Sequence, residues 1–207
     1  TLQHPNFYGA SLALGSADVS LWDMVNAYRT LGNGGVFSPL RLEPGSNAST
    51  KQILDENAVY VISNILADRE ARSRTFGFES PLSTPFFSAV KTGTSKDMRD
   101  NWCIGFSQHY TIGVWVGNFS GEPMWNVTGV TGAGPIWRDV ISYLHKDLIS
   151  NPPKPPSGLV KRQVSIFPGG RVYNEWYLKG SEPPPGQLHR VSVKPTFALA
   201  YIQYPTD

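Results

Sequence analysis

The chain has 207 residues, enough for one sizeable core or for a domain with an appendage. Its 18 Lys+Arg against 16 Asp+Glu leave a net charge of +2, which excludes the basic footprint of a nucleic-acid binder and marks no acidic partner. The single cysteine, Cys103, excludes an internal disulfide, and there is no apolar run of the roughly 18 residues that a membrane span needs.

Thr1-Leu2-Gln3-His4-Pro5 has no start-like character, so the chain is expected to be an excised piece of a longer protein, with any targeting signal upstream. Ser20 to Leu31 reads as a helix. Ser20 is its N-cap with Asp23 as the capping-box partner, and Leu21, Met24, Val25, Tyr28 and Leu31 form an apolar stripe. Gly32-Asn33-Gly34-Gly35 stops the helix, since glycine accepts the left-handed backbone of a helix end. The alternative, a phosphate cradle, would place the cluster before a helix instead of after one.

A second helix runs roughly from Asp55 to Arg69, with Asp55 as cap and Ala58, Val61, Ile62, Ile65 and Leu66 as its buried face. Asp68, Arg69, Glu70, Arg72 and Arg74 read as a solvated charge cluster. Val90 to Ser95, Asn101 to Phe106 and Tyr110 to Phe119 then read as strands. Their short connections, including a hairpin at Ser107-Gln108-His109, make them antiparallel neighbours. The Lys91 strand should lie at one edge of this meander and the Tyr110 strand at the other. The glycines of Ile112 to Gly117 should let a helix approach the sheet closely. Cys103, between Trp102 and Ile104, reads as a buried small apolar side chain, with a reactive thiol as the alternative.

A third helix starts near Pro135, with Ile136, Val140 and Leu144 packing inward and Lys146 complementing its dipole. Asn151 to Gly158 is a Pro-rich linker, Leu159 to Leu178 is β-like, and Glu182-Pro183-Pro184-Pro185-Gly186 is a second linker. Phe197 to Ile202 reads as a strand opening another module, which stops at Asp207. The expected fold class is α/β of the α+β type: an antiparallel sheet flanked by helices, followed by a Pro-rich β-like tail. The expected divisions are 1–150, 151–196 and 197–207.

Chemistry concentrates at Lys91-Thr92-Gly93-Thr94. Gly93 lets an acyl chain lie close to the backbone, and an exposed edge lets an extended peptide add as a further strand. The hydroxyls of Thr92 and Thr94 share one face and suit a terminal carboxylate, and the Thr94 N–H suits an oxyanion. Lys91 adds a charge that favours an anionic substrate and steers proton transfer. The plain alternative is a surface lysine ending an ordinary strand. Asp97 and Asp100 are an acid/base pair or, more simply, turn residues. His4, His109, His145 and His189 form no triad and no metal-ligand spacing, and read as surface or packing residues.

These motifs resemble the C-terminal part of the transpeptidase domain of class A, bifunctional penicillin-binding proteins, most closely the 1C type. Tyr8 to Gly15, Ala27-Tyr28 to Gly35, Lys91-Thr92-Gly93-Thr94-Ser95, Asp100-Asn101-Trp102, Gly105-Phe106, Trp115 to Asn118 and Gly129 to Trp137 carry the resemblance, in order, over about the first 150 residues. The tail from Phe197 to Pro205 is similar to the opening of the small C-terminal domain that some of these proteins carry.

The resemblance implies a partial transpeptidase fold of the penicillin-binding-protein and serine β-lactamase kind. It implies catalytic roles for Lys91 and Thr94, and substrate contacts from Thr92, Gly93, Thr94 and Ser95. It further implies a bacterial periplasmic protein, held in the inner membrane through a region upstream, with a glycosyltransferase domain. Stem peptides ending in D-Ala-D-Ala would be the substrate, β-lactams would acylate the same serine, and no cofactor, metal or nucleic acid would be needed. Ser-x-Asn occurs nowhere in the chain, and the one Ser-x-x-Lys spacing, Ser88-Ala89-Val90-Lys91, runs straight into the Lys-Thr-Gly element and ends on its lysine, so the chain is expected to supply no nucleophile and to be inactive alone. Two other readings stand beside this one: a non-catalytic module that binds peptidoglycan or envelope partners, and a carboxypeptidase or β-lactamase relative using water as acceptor.

Overall fold

The computed structural model describes residues 3–43, 49–77, 79–165 and 172–183. The chain divides into two compact units, Thr1–Pro156 and Ser157–Asp207.

The first unit opens with α1 (Pro5–Tyr8) and a 3-10 turn (Gly9–Leu14), followed by α2 (Leu21–Gly32). At the start of α2 the Ser20 hydroxyl accepts the Asp23 amide at 3.1 Å and donates to the Asp23 carboxylate at 2.7 Å. The acid thus binds the cap's side chain, where a capping box would have it bind the cap's amide. Asn33 caps the other end, and the left-handed Gly34 and Gly35 turn the chain into β1 (Val36–Phe37), which pairs antiparallel with β2 (Lys51–Gln52). The cluster is therefore a helix stop. Gly35 also needs the space, since a Cβ there would lie 2.5 Å from the Leu54 carbonyl oxygen.

Two helices follow where one was expected. Asp55 caps α3 (Glu56–Ala67) by accepting the Asn57 and Ala58 amides, each at 3.0 Å. Asp68 then ends α3 and caps α4 (Arg69–Phe76) through the Ala71 amide at 2.9 Å. α3 thus matches the helix expected from Asp55 to about Arg69, and capping by Asp68 makes the charge cluster after it a further short helix. Arg72 is half-buried and donates to the carbonyls of Leu66 and Leu82, so it staples α3 to the segment before the sheet. The buried face of α3 is also corrected. Val59 and Ser63 are buried, while Ile62 and Ile65 are 44% and 59% exposed. Small side chains, not the isoleucines, let α3 settle against the sheet.

The central sheet is the predicted meander, β3 (Ala89–Thr94), β4 (Asp100–Phe106) and β5 (Thr111–Gly117), in that order. Its two faces carry different partners. Val90 and Cys103 face α5 (Gly134–Leu144) and form a core with Leu82, Ala133, Trp137 and Ile141, against which Ile112 and Val114 pack. Here too the helix face differs from expectation: Trp137 and Ile141 are fully buried, whereas Ile136 and Val140 are 47% and 41% exposed. Trp137 is the bulkiest side chain in reach, and it fits because residue 105 is glycine; a Cβ there would stand 2.7 Å from the indole ring. On the other face α2 lies against β5 at Gly113, where a Cβ would come within 2.4 Å of Val25 and 3.0 Å of Leu21.

His145, at the end of α5, is buried between Phe86 and Tyr110. Its ring nitrogens lie 2.8 Å from Ser107 Oγ and 2.8 Å from the Leu148 carbonyl oxygen, tying the helix end to the β4–β5 hairpin. That is the packing role expected of it.

In the second unit, β6 (Leu159–Ser165) pairs antiparallel with β7 (Val172–Leu178), with Lys161 over the Trp176 ring at 5.5 Å. Phe197 to Ile202, the expected module 197–207, His189 and most of the second Pro-rich linker lie outside the described residues.

Gly113→Val overpacks the α2 contact and should cost about 1–3 kcal/mol in urea unfolding. Cys103 is fully buried and burial pushes its thiol up to about 12. A thiol reagent at neutral pH should therefore label the chain only after denaturant is added; fast labelling of the folded chain contradicts this packing.

Candidate functional site

The strand β3 begins in the core and ends in the open. Ala89 and Val90 are buried; Lys91 and Thr94 are exposed, with Thr92 and Gly93 between these extremes. Ladder register decides which main-chain groups are free. The Ser95 N–H donates to the Asp100 carbonyl at 2.9 Å, and Gly93 is paired with Trp102 and Lys91 with Ile104. Antiparallel ladders alternate, so Lys91, Gly93 and Ser95 direct their N–H and C=O at β4. Thr92 and Thr94 direct theirs at the outer edge, where no strand pairs among the described residues. The amide proposed for an oxyanion, that of Thr94, is thus on the free side.

The side chains split across the two faces. Lys91 and Gly93 share a face with Trp102 and Ile104 and line an open cleft of about 810 Å³, whose other wall includes Met24 and Tyr28 of α2. Lys91 Nζ donates to the Thr92 carbonyl at 2.6 Å, at the rim of this cleft. Thr92 and Thr94 project to the α5 face, as the two-residue period requires. Two other clefts, of about 640 and 650 Å³, contain none of residues 91–95.

Gly93 is informative because nothing internal demands it. Its φ is not left-handed, and a Cβ there would meet only Trp102, at an ordinary 3.7 Å. A glycine that neither backbone nor packing requires is what close approach of a ligand would need.

Ser95 and Asp100 are bound to each other. The Ser95 hydroxyl donates to Asp100 Oδ2 at 2.8 Å and accepts the Asp100 amide at 2.8 Å, while Trp115 Nε1 donates to Asp100 Oδ1 at 2.9 Å. Both carboxylate oxygens therefore clamp the turn. Asp97 sits in the same turn with φ of 60°, 4.0 Å from Arg99. This is the turn reading of the two acids, and it leaves Ser95 holding the strand's exit.

Two residues that the resemblance names without a role stand close to the strand. Asn101 is fully buried opposite Thr94, and its amide nitrogen is 4.0 Å from the Met124 sulfur. Gly129 opens a π-helical turn (Gly129–Ala133) and donates its amide to Thr94 Oγ1 at 2.9 Å. The glycine-rich run before Pro135 was the only available signal for the second.

No family model matches the chain. It is 34% identical over 185 residues to penicillin-binding protein 1C of Escherichia coli (strain K12), covering 84% of this chain and 24% of that protein. Penicillin-binding protein 1A of Clostridium botulinum is 27% identical over 209 residues, covering 87% and 25%. Penicillin-binding protein 2D of Bacillus subtilis (strain 168) is 29% identical over 196 residues, covering 84% and 28%. The crystal structure of penicillin-binding protein 1A from Haemophilus influenzae shares the fold with a TM-score of 0.71 at 14% identity, over 88% of this chain and 35% of that one. The chain thus spans about a quarter of the length of the curated relatives it matches.

Asp100→Ala removes the acceptor of two side-chain hydrogen bonds and should lower stability by about 1–3 kcal/mol. Asp100→Asn, which keeps one carbonyl oxygen, should lose less. Equal urea midpoints for all three proteins would contradict the clamp.

Proposed function

As a homologue of the penicillin-binding proteins 1C and 1A, this chain is, we propose, part of a peptidoglycan transpeptidase domain, contributing the strand that receives the substrate peptide. The observation that carries this reading is the outer edge of β3, where the main-chain groups of Thr92 and Thr94 pair with no strand among the described residues, beside Lys91 and an unforced Gly93.

An extended stem peptide ending in D-Ala-D-Ala adds along this edge by main-chain hydrogen bonds. A serine outside this chain attacks the penultimate carbonyl carbon, and the Thr94 N–H donates to the oxygen that becomes negative. Collapse of the tetrahedral species breaks the peptide bond, and terminal D-alanine leaves after its nitrogen takes up a proton. The acceptor peptide's amine then attacks the acyl-enzyme, forms the cross-link and restores the serine. Lys91 stabilises the substrate carboxylate and favours protonation of the leaving nitrogen. A β-lactam would follow the same first step and remain attached, because its leaving nitrogen is tethered. The whole protein would act in cell-wall synthesis at the periplasmic face of the inner membrane and carry a glycosyltransferase domain as well.

The whole protein should be labelled by a fluorescent penicillin at a serine outside residues 1–207, and this chain alone should not be labelled. Lys91→Ala in the whole protein should lower the second-order acylation rate by about a hundredfold or more with little change in melting temperature. Failure of the whole protein to label would favour a binding module. Unchanged acylation by Lys91→Ala would reduce the strand to scaffold.

A further inference from the structure

Thr94 is exposed, yet its side-chain oxygen already has a fixed partner in the buried Gly129, whose N–H donates to it at 2.9 Å. The position of Gly129 is set twice. Thr128 and Thr131 cap the turn reciprocally: the Thr128 amide donates to Thr131 Oγ1 at 2.9 Å, and the Thr131 amide donates to Thr128 Oγ1 at 3.4 Å. The turn also lies flat on the β3–β4 ladder. A Cβ at residue 129 would stand 2.5 Å from the Gly93 carbonyl oxygen, 2.7 Å from that of Trp102 and 3.1 Å from the Gly93 nitrogen. All three are backbone atoms of paired residues, so none can retreat cheaply. Gly129 has no left-handed φ, so glycine is required here for space alone.

A threonine hydroxyl has one proton to give and can accept at its oxygen. With the Gly129 amide occupying the acceptor side, the Thr94 proton remains for another acceptor. The geometry points to Gly129 as a positioning residue for substrate binding: its amide fixes the Thr94 side chain and holds the Thr94 O–H as a donor to the carboxylate of a ligand on the β3 edge. This rests on the transpeptidase reading above. It adds that a residue 35 positions away, with no ligand contact of its own, sets the orientation of the carboxylate-binding hydroxyl.

A double-mutant cycle in the whole protein tests it, with the second-order rate of acylation by a fluorescent penicillin as readout. Gly129→Ala should slow acylation about tenfold, the loss of roughly one hydrogen bond to a charged group, and Thr94→Val by a similar factor. The double variant should be no slower than the slower single, because both changes remove one shared interaction. Thr94→Ser, which keeps a hydroxyl for the Gly129 amide to bind, should lose less than Thr94→Val. Should Gly129→Ala fail to fold, Thr131→Val loosens the same turn without adding bulk at residue 129, and its effect should likewise vanish in the Thr94→Val background. Multiplicative losses, or an unchanged rate in Gly129→Ala, overturn the inference while the transpeptidase reading stands. An unaltered protein that is not acylated overturns both.

Discussion

The β3–β4 register governs the rest of the site. Ser95 bonds to Asp100 at the open end of the ladder, and from that single bond the alternation runs back through Gly93 and Lys91. Had the register slipped by one residue, the amides of Lys91 and Gly93 would face outward, and the threonine hydroxyls would exchange faces with the lysine. The Asp100 carboxylate makes such a slip expensive, since one group holds Ser95 at the end of β3 and Trp115 on β5. The open edge is thus fixed from the turn at the end of the ladder and from β5.

Rigidity comes from the faces of the sheet. Trp137 fills the space left by Gly105 on one side, and α2 closes on Gly113 from the other. The sheet is pinned between two helices at places where only hydrogen occupies the contact, which leaves little room for the strands to shift. The proposed acyl transfer would draw on a preorganised edge of this kind, because donors already aligned to the developing charge need no reorganisation during the reaction.

Gly93 and Gly129 illustrate two distinct demands met by the same residue type. Backbone atoms of Gly93 and Trp102 crowd Gly129, so internal packing requires a glycine there. Gly93 has only ordinary contact with Trp102, so internal packing makes no such demand, and the glycine there is left to the ligand of the proposed function. The two glycines lie against each other, one from the turn and one from the ladder, and the Thr94 hydroxyl is fastened at that junction.

Much of this was legible in the order of residues. The meander follows from short connections between β-branched and aromatic runs, the helix stop from Gly32 to Gly35, and the burial of Cys103 from its strand context. These are local effects, set by backbone preference and loop length, so the sequence by itself determined them, together with the position of the Lys91–Thr94 strand at the sheet edge. Tertiary structure decided what local patterns leave open. Several apolar stripes were available on α3 and α5, and the sheet chose Val59 and Ser63 on one and Trp137 and Ile141 on the other, because burial depends on the shape of the partner surface. It likewise decided that Ser95 and Asp100 hold each other, and that Gly129 reaches Thr94. That last contact joins residues far apart in sequence through a fit of backbone against backbone, which no periodicity or short motif encodes.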